Sequence, residues 1–296
     1  MVGAEEAARL AAGLVGPGAV ATREGAGWDH VAWRVVGRDG RPWIVRWGIE
    51  GDADELATEV RREVAVMRAA RGVLGDLVGD AVVLDDARGC LAHPWVPGTP
   101  LQALLVADRV PAPERSRLAR EIGAIVATIG RVPPPPEVEV DEGLPTWLAA
   151  TPPFVDVIDH LLSDGERAAV ARFLATPPPA GPPPDALPLT HNDLGAEHVL
   201  VDPDSLVITG ILDWSDAARA DPAAELGRLL RDLGADLLDD VLDGMGVDGA
   251  DRAVVTARAW CYARCLVLED VAYAVERRPD LLAFERASLA ALFAAV

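Results

Sequence analysis

The chain contains no lysine: all 27 of its basic residues are arginines, so any step that asks for a cationic side chain has to be made with a guanidinium. Cysteine is scarce as well. Cys90, Cys261 and Cys265 are too few for a disulfide framework, and Cys261 and Cys265, four apart in an apolar helical stretch, read as buried thiols rather than a metal pair. No apolar run approaches the roughly 20 residues that a membrane span needs. Met1 to Val20 also lacks the basic start and apolar centre of a secretion signal, so the expectation is a soluble, cytoplasmic protein without membrane contact. The five histidines, at 30, 93, 160, 191 and 198, make no H-E-x-x-H motif. Positive charge is in deficit too: the net charge of −20 excludes a nucleic-acid partner. It suits a cationic small molecule drawn to an acidic cleft, or simply a well-solvated surface.

A chain of 296 residues with 50% hydrophobic content buries a substantial core, as one large domain or two lobes. Glu5 to Leu14 has amphipathic helical spacing. Beyond Gly16-Pro17-Gly18 the pattern turns extended over Ala19 to Arg23, Val31 to Val36 and Trp43 to Trp47, with Gly37-Arg38-Asp39-Gly40 as a hairpin connection. Leu56 to Ala70 is helical in spacing, and Ala81 to Leu84 and Cys90 to Trp95 read as two more strands. This order describes a small α+β lobe over 1–97. From Pro113 the chain is mainly helical, Glu114 to Ile129 most clearly, which makes 98–296 a larger helical lobe. The proline clusters Pro133 to Pro136 and Pro177 to Pro184 are loops or spacers.

Leu187 to Thr190 is a short apolar strand that delivers the chain to His191-Asn192-Asp193-Leu194-Gly195-Ala196-Glu197-His198. Val199 to Val201 and Leu206 to Leu212 make a hairpin around Asp202-Pro203-Asp204-Ser205, and Asp213 follows. Phosphoryl transfer needs a positioned hydroxyl, a divalent metal and neutralised charge rather than covalent work. Asp193 and His198 on one tight loop, with Asp213 brought back by a short hairpin, converge as three polar groups at one strand end.

His191-Asn192-Asp193 through His198-Val199-Leu200-Val201-Asp202, followed by Ile211-Leu212-Asp213-Trp214-Ser215-Asp216-Ala217 and Asp221-Pro222, resembles the antibiotic phosphotransferase family. The family's pattern is His-x-Asp, four residues, Asn or His, then Asp at the end of the next strand. The resemblance implies an α+β, bilobal, protein-kinase-like fold, with a five-stranded N-terminal lobe and a larger, mainly helical C-terminal lobe. The implied activity is transfer of the γ-phosphate of ATP or GTP, with Mg2+, to a hydroxyl of an aminoglycoside or macrolide. Nucleotide and substrate would meet in the cleft between the lobes, in a monomer or homodimer. A nucleotide-binding pseudokinase is the alternative.

Carried over residue by residue, the resemblance makes Asp193 the catalytic base and Asp213 a magnesium ligand. His198 stands at the metal-binding Asn position, the form of macrolide 2′- and aminoglycoside 2″-phosphotransferases. Its nitrogen suits hard magnesium less well than an amide oxygen does. His191 braces the loop. Arg46 takes the place of the phosphate-gripping strand residue, with Glu63 as its helix partner or Glu59 one turn earlier. Gly25 and Gly27 either admit phosphate to the backbone or make a turn. The backbone near His93 and Trp95 is the expected purine hinge. Glu197, Asp216, Asp236 and Glu269 are candidates for contacting substrate ammonium groups, with Trp147, Phe154, Trp260 and Tyr262 near the same side.

Overall fold

The computed structural model describes residues 3–26, 30–49 and 51–294. The chain divides into two compact units, and a single cut near residue 97 does not separate them: the first runs through Gly98 and also takes in Pro134–Val138 and Thr209–Ala217.

The first unit is built on strands β1 (Val20–Ala26), β2 (His30–Val36), β3 (Pro42–Gly48), β4 (Val82–Asp85) and β5 (Cys90–Pro94). They form one antiparallel sheet in the order β1-β2-β3-β5-β4, which puts β3 at its centre. Side chains alternate between faces along a strand. Val35, Val45, Trp47, Cys90 and Ala92 therefore share one face, closed by Ala7 of helix α1 (Ala4–Leu10), Val15 of helix α2 (Ala12–Val15) and Ala11 between them. The opposite face carries Ala32, Arg46 and Leu91, aligned across three strands. The single helix expected over Glu5 to Leu14 is thus broken at Ala11, where the following turns contain Gly13 and Gly16, poor helix formers. Helix α3 (Ala53–Leu74) is longer than its apolar spacing suggests because Asp52 and Glu55 make a capping box one turn upstream.

The second unit begins with β6 (Thr99–Pro100) and runs through α4 (Leu101–Val106), α5 (Ala112–Ile129), α6 (Leu144–Ala150), α7 (Pro152–Ile158) and α8 (Asp164–Ala175) to β7 (Leu189–Thr190) and β8 (Val199–Val201). β9 (Ile208–Ile211), which from Thr209 onward belongs to the first unit, is shorter than the strand expected from Leu206 to Leu212. Leu206 has a positive φ of 56°, and the carboxylate of Asp202 accepts the amides of Asp204 and Ser205 in the preceding turn. β10 (Ala218–Arg219) pairs with β7, and α9 (Ala223–Leu233), α10 (Leu238–Met245), α11 (Gly249–Glu276) and α12 (Leu282–Ala294) complete the unit. Every residue of α9 is buried. It sits that deep because Gly227 lets its backbone approach α11: a β-carbon there would lie 2.6 Å from Cβ of Tyr262. Cys90, Cys261 and Cys265 are free and buried. Among the described residues no helix is long and apolar enough to cross a membrane.

Candidate active site

In the second unit, β7 hands the chain to a loop whose backbone is gripped from below by α9. Asn192 turns it with a φ of 63°. The amides of Asn192 and Leu194 donate to the two carboxylate oxygens of Glu225, at 2.5 and 3.0 Å, and the amide of Ala196 donates to Oδ2 of Asp232 at 2.6 Å. Hydrogen bonds to ionised acceptors are among the stronger ones in proteins. The fully buried His191 accepts the Asp193 amide on Nδ1 at 3.3 Å, which leaves the ring proton on Nε2.

The loop holds Asp193 with its carboxylate partly exposed. Nε of Arg228 donates to Oδ1 at 2.9 Å, and Nδ1 of His198 lies 3.3 Å from Oδ2. That same Nδ1 sits 2.7 Å from the Asp193 carbonyl, so it carries the ring proton and the lone pair is on Nε2. Asp193, Glu197 and His198 offer ligand atoms all within 4.8 Å of one another.

Behind Glu197 is a buried ionic cluster. Arg231 donates to Glu197, Asp232 and Asp270. Burial pushes Asp270 up to about 7 and Glu285 up to about 8 against the pull of Arg231, with neighbouring carboxylates adding to the rise. Glu269 is exposed, but desolvation and Asp193 raise its carboxyl while Arg228 and Arg231 oppose them, which sets it in electrostatic reach of Asp193. Trp147 stacks under the guanidinium of Arg228 at 5.2 Å and meets Tyr262 edge-on at 5.3 Å.

Not every expected substrate residue joins this group. Asp236 is exposed on the turn 235–237, in an open depression it shares with Asp108, Arg109 and Arg115. Asp216 is exposed in the segment belonging to the first unit, and Trp260 stacks on Arg264.

In the first unit Arg46 bridges two carboxylates. Its Nη2 pairs with Glu63, and its Nη1 lies 2.7 Å from Oδ1 of Asp213, which also accepts from Oγ of Ser215 at 2.9 Å. Asp213 is another residue with positive φ, 57°. The helix partner is therefore Glu63 and not Glu59, which faces solvent. Burial pushes the Glu63 carboxyl up to about 7 although Arg46 pulls it down. His30, diagonal to Arg46 on the same sheet face, is lowered to about 4, by burial first and then by Arg46. A neutral imidazole thus borders the Arg46–Asp213 pair.

Around the expected hinge, the sheet takes up main-chain groups of both named residues, His93 and Trp95. The amide of Trp95 donates to the Pro42 carbonyl at 2.9 Å. In an antiparallel ladder that register assigns the main-chain groups of His93 to Ile44, so neither is the donor an incoming base would meet. His93 instead turns its Nδ1 to the Pro94 carbonyl at 2.9 Å, and Trp95 stacks under Arg34. Gly25 lies within β1, where a bulge shifts the register between Arg23 and Gly25, and Gly27 lies outside the described residues.

A model of the phosphotransferase enzyme family matches residues 21–260. The chain belongs to that family. Its fold is the family's protein-kinase-like one: aminoglycoside 2′-phosphotransferase-IIIa, solved with GDP, superposes with a TM-score of 0.72 at 18% identity over 99% of each chain. The GDP and kanamycin complex of an aminoglycoside phosphotransferase gives 0.68 at 18% identity over 93% of each chain. The macrolide 2′-phosphotransferase MphH from Brachybacterium faecium gives 0.61 at 21% identity, covering 98% of this chain and 97% of that one. No curated protein sequence matches significantly.

Three residues around the site of this phosphotransferase escape a reading by motif: His30, Arg228 and Asp232. Residues 225, 228 and 232 share one helical face, and the apolar stripe Leu226, Leu229, Leu230 and Leu233 opposite makes that face read as an ordinary solvated one.

Proposed function

We propose that this phosphotransferase moves the γ-phosphate of ATP or GTP to a hydroxyl of an aminoglycoside or macrolide antibiotic, conferring resistance. The observation that carries the reading is Asp193, a partly exposed carboxylate on a loop whose main-chain amides are held by Glu225 and Asp232. Asp193 orients the acceptor hydroxyl and takes its proton. The acceptor oxygen bonds to the γ-phosphorus as the bond from phosphorus to the bridging oxygen breaks, and that electron pair leaves with the nucleoside diphosphate. Arg46 neutralises donor phosphate, its planar fork suited to two oxygens.

Each unit, taken by itself, supplies a donor suited to a divalent cation. Asp213 offers a hard carboxylate oxygen, and the Nδ1–H of His198 on the Asp193 carbonyl leaves a lone pair on Nε2, as in ligating imidazoles. When bound, such an ion neutralises charge on the nucleotide phosphates. Amino groups of the acceptor would meet Glu197 and Glu269, and Trp147 would wall a sugar ring.

The test is incubation of the purified protein with ATP or GTP, Mg2+ and a panel of aminoglycosides and macrolides, followed by mass spectrometry. A product heavier by one phosphate is expected. Nucleotide that binds without turnover would establish the pseudokinase instead.

A further inference from the structure

Arg228 is an expensive residue in its position. Its side chain is 7% exposed, on a helix that is buried throughout, and its Nη1 is buried with no hydrogen-bond partner among the described residues. Apolar replacements of buried ion pairs are often neutral or stabilising, so stability alone gives no reason for an arginine here. What it does hold is the carboxylate of Asp193, through Nε at 2.9 Å from Oδ1, while its guanidinium lies over Trp147 at 5.2 Å.

We propose that Arg228 is a positioning residue for the base: it pins Oδ1 of Asp193 so that Oδ2 faces the acceptor hydroxyl, and through Trp147 it couples that orientation to the wall on which the acceptor packs. The proposal rests on the reading of Asp193 as the group that orients the acceptor. The three polar residues of the α9 face then divide one task. Glu225 and Asp232 fix the backbone of the loop, and Arg228 fixes the side chain that the backbone presents. A clamped carboxylate suits this chemistry. In a loose phosphoryl-transfer transition state the nucleophile has little bonding to phosphorus, and correct placement of the hydroxyl counts for more than a strongly basic acceptor of its proton.

The experiment is steady-state kinetics with kanamycin and with erythromycin as acceptors, on the wild type and on Arg228→Met, Arg228→Lys and Trp147→Leu. Arg228→Met should lower kcat roughly 100-fold, the cost typical of a misplaced reacting group. Nucleotide KM should stay within about threefold, because uniform binding is untouched. Arg228→Lys should recover about a tenfold part of that loss, since its single ammonium restores charge but not the planar grip. In an Asp193→Asn background Arg228→Met should cost nothing further, a non-additivity that a purely structural role would not produce. Equal losses in both backgrounds, or wild-type kcat in Arg228→Met, overturn the proposal. Should Arg228→Met fail to fold, Trp147→Leu decides: kcat falling roughly tenfold at constant nucleotide KM supports it, and an unchanged kcat overturns it. A wild type inert toward both acceptors and toward water removes the reading of Asp193, and this proposal with it.

Discussion

Arg46 Nη1 lies 2.7 Å from Oδ1 of Asp213, and the other Nη of the same guanidinium pairs with Glu63. One arginine on the central strand thus joins the helix carboxylate to the residue expected to hold metal. A lysine could meet only one of them well, because its ammonium is a point and not a fork. Arg46→Lys should therefore raise nucleotide KM by roughly tenfold while kcat changes less. Titrating nucleotide at saturating acceptor measures the split, and an unchanged KM would remove Arg46 from the donor site.

The same pair makes a stability prediction. Arg46→Met leaves Glu63 buried without its partner, a change that costs about 3–5 kcal/mol where the remaining charge cannot be relieved. Glu63 can relieve it, since burial has already pushed its carboxyl up to about 7 and loss of Arg46 pushes it further. The penalty should be visibly smaller at pH 6, where the carboxyl is protonated, than at pH 8. Denaturant melts of variant and wild type at the two pH values check this, and a pH-independent penalty would contradict it.

Glu225 receives two loop amides, one on each oxygen. A glutamine has one acceptor oxygen, and its amino group would face a donor. Glu225→Gln should lower kcat roughly tenfold or more by loosening the loop, with nucleotide affinity nearly constant. Nucleotide binding by calorimetry beside the transfer rate separates the two. Asp193→Asn, by contrast, should leave both loop and affinity intact and abolish most transfer.

His198 offers a softer test. An amide oxygen suits Mg2+ better than an imidazole nitrogen, whereas Mn2+ accepts nitrogen readily. His198→Asn should lower the Mg2+ concentration needed for half-maximal rate and reduce the advantage of Mn2+ over Mg2+. Identical metal dependences in the two proteins would show that the ring does not ligate.

The elements that reached the page from sequence did so through periodicity and turn chemistry. The central strand with Arg46, the loop that presents Asp193 and the helix bearing Glu63 are local patterns, and the structure reproduces each. What periodicity leaves open is tertiary. Whether Glu59 or Glu63 pairs with Arg46 depends on which face of α3 meets the sheet, and the buried set Val60, Glu63, Val64 and Met67 decides it. The hinge donors depend on the parity of the β3–β5 ladder, which no pattern in Cys90 to Trp95 encodes. Arg228 and Asp232 look like solvated helix charges until α9 is seen to be enclosed on all sides.

That enclosure leads to a last prediction, on pH. Glu285, on α12, is 5% exposed, its Oε2 has no hydrogen-bond partner among the described residues, and its carboxyl is pushed up to about 8 from an ordinary 4.5, by burial first and then by Asp270. A carboxyl raised on folding contributes stability that is complete below its unfolded value and is lost as pH climbs through the folded one. The window for Glu285 is therefore pH 4.5 to 8, and Asp270, raised to about 7, loses its share over the lower part of the same range. Glu285→Gln mimics the protonated acid. It should match wild type near pH 5 and exceed it above pH 8 by on the order of 1–2 kcal/mol, less than the isolated shift implies because the neighbouring charges titrate together. Urea melts from pH 5 to 9 would show the two stability curves diverging upward in pH, and curves that stay parallel would mean that Glu285 is ionised in the folded protein throughout.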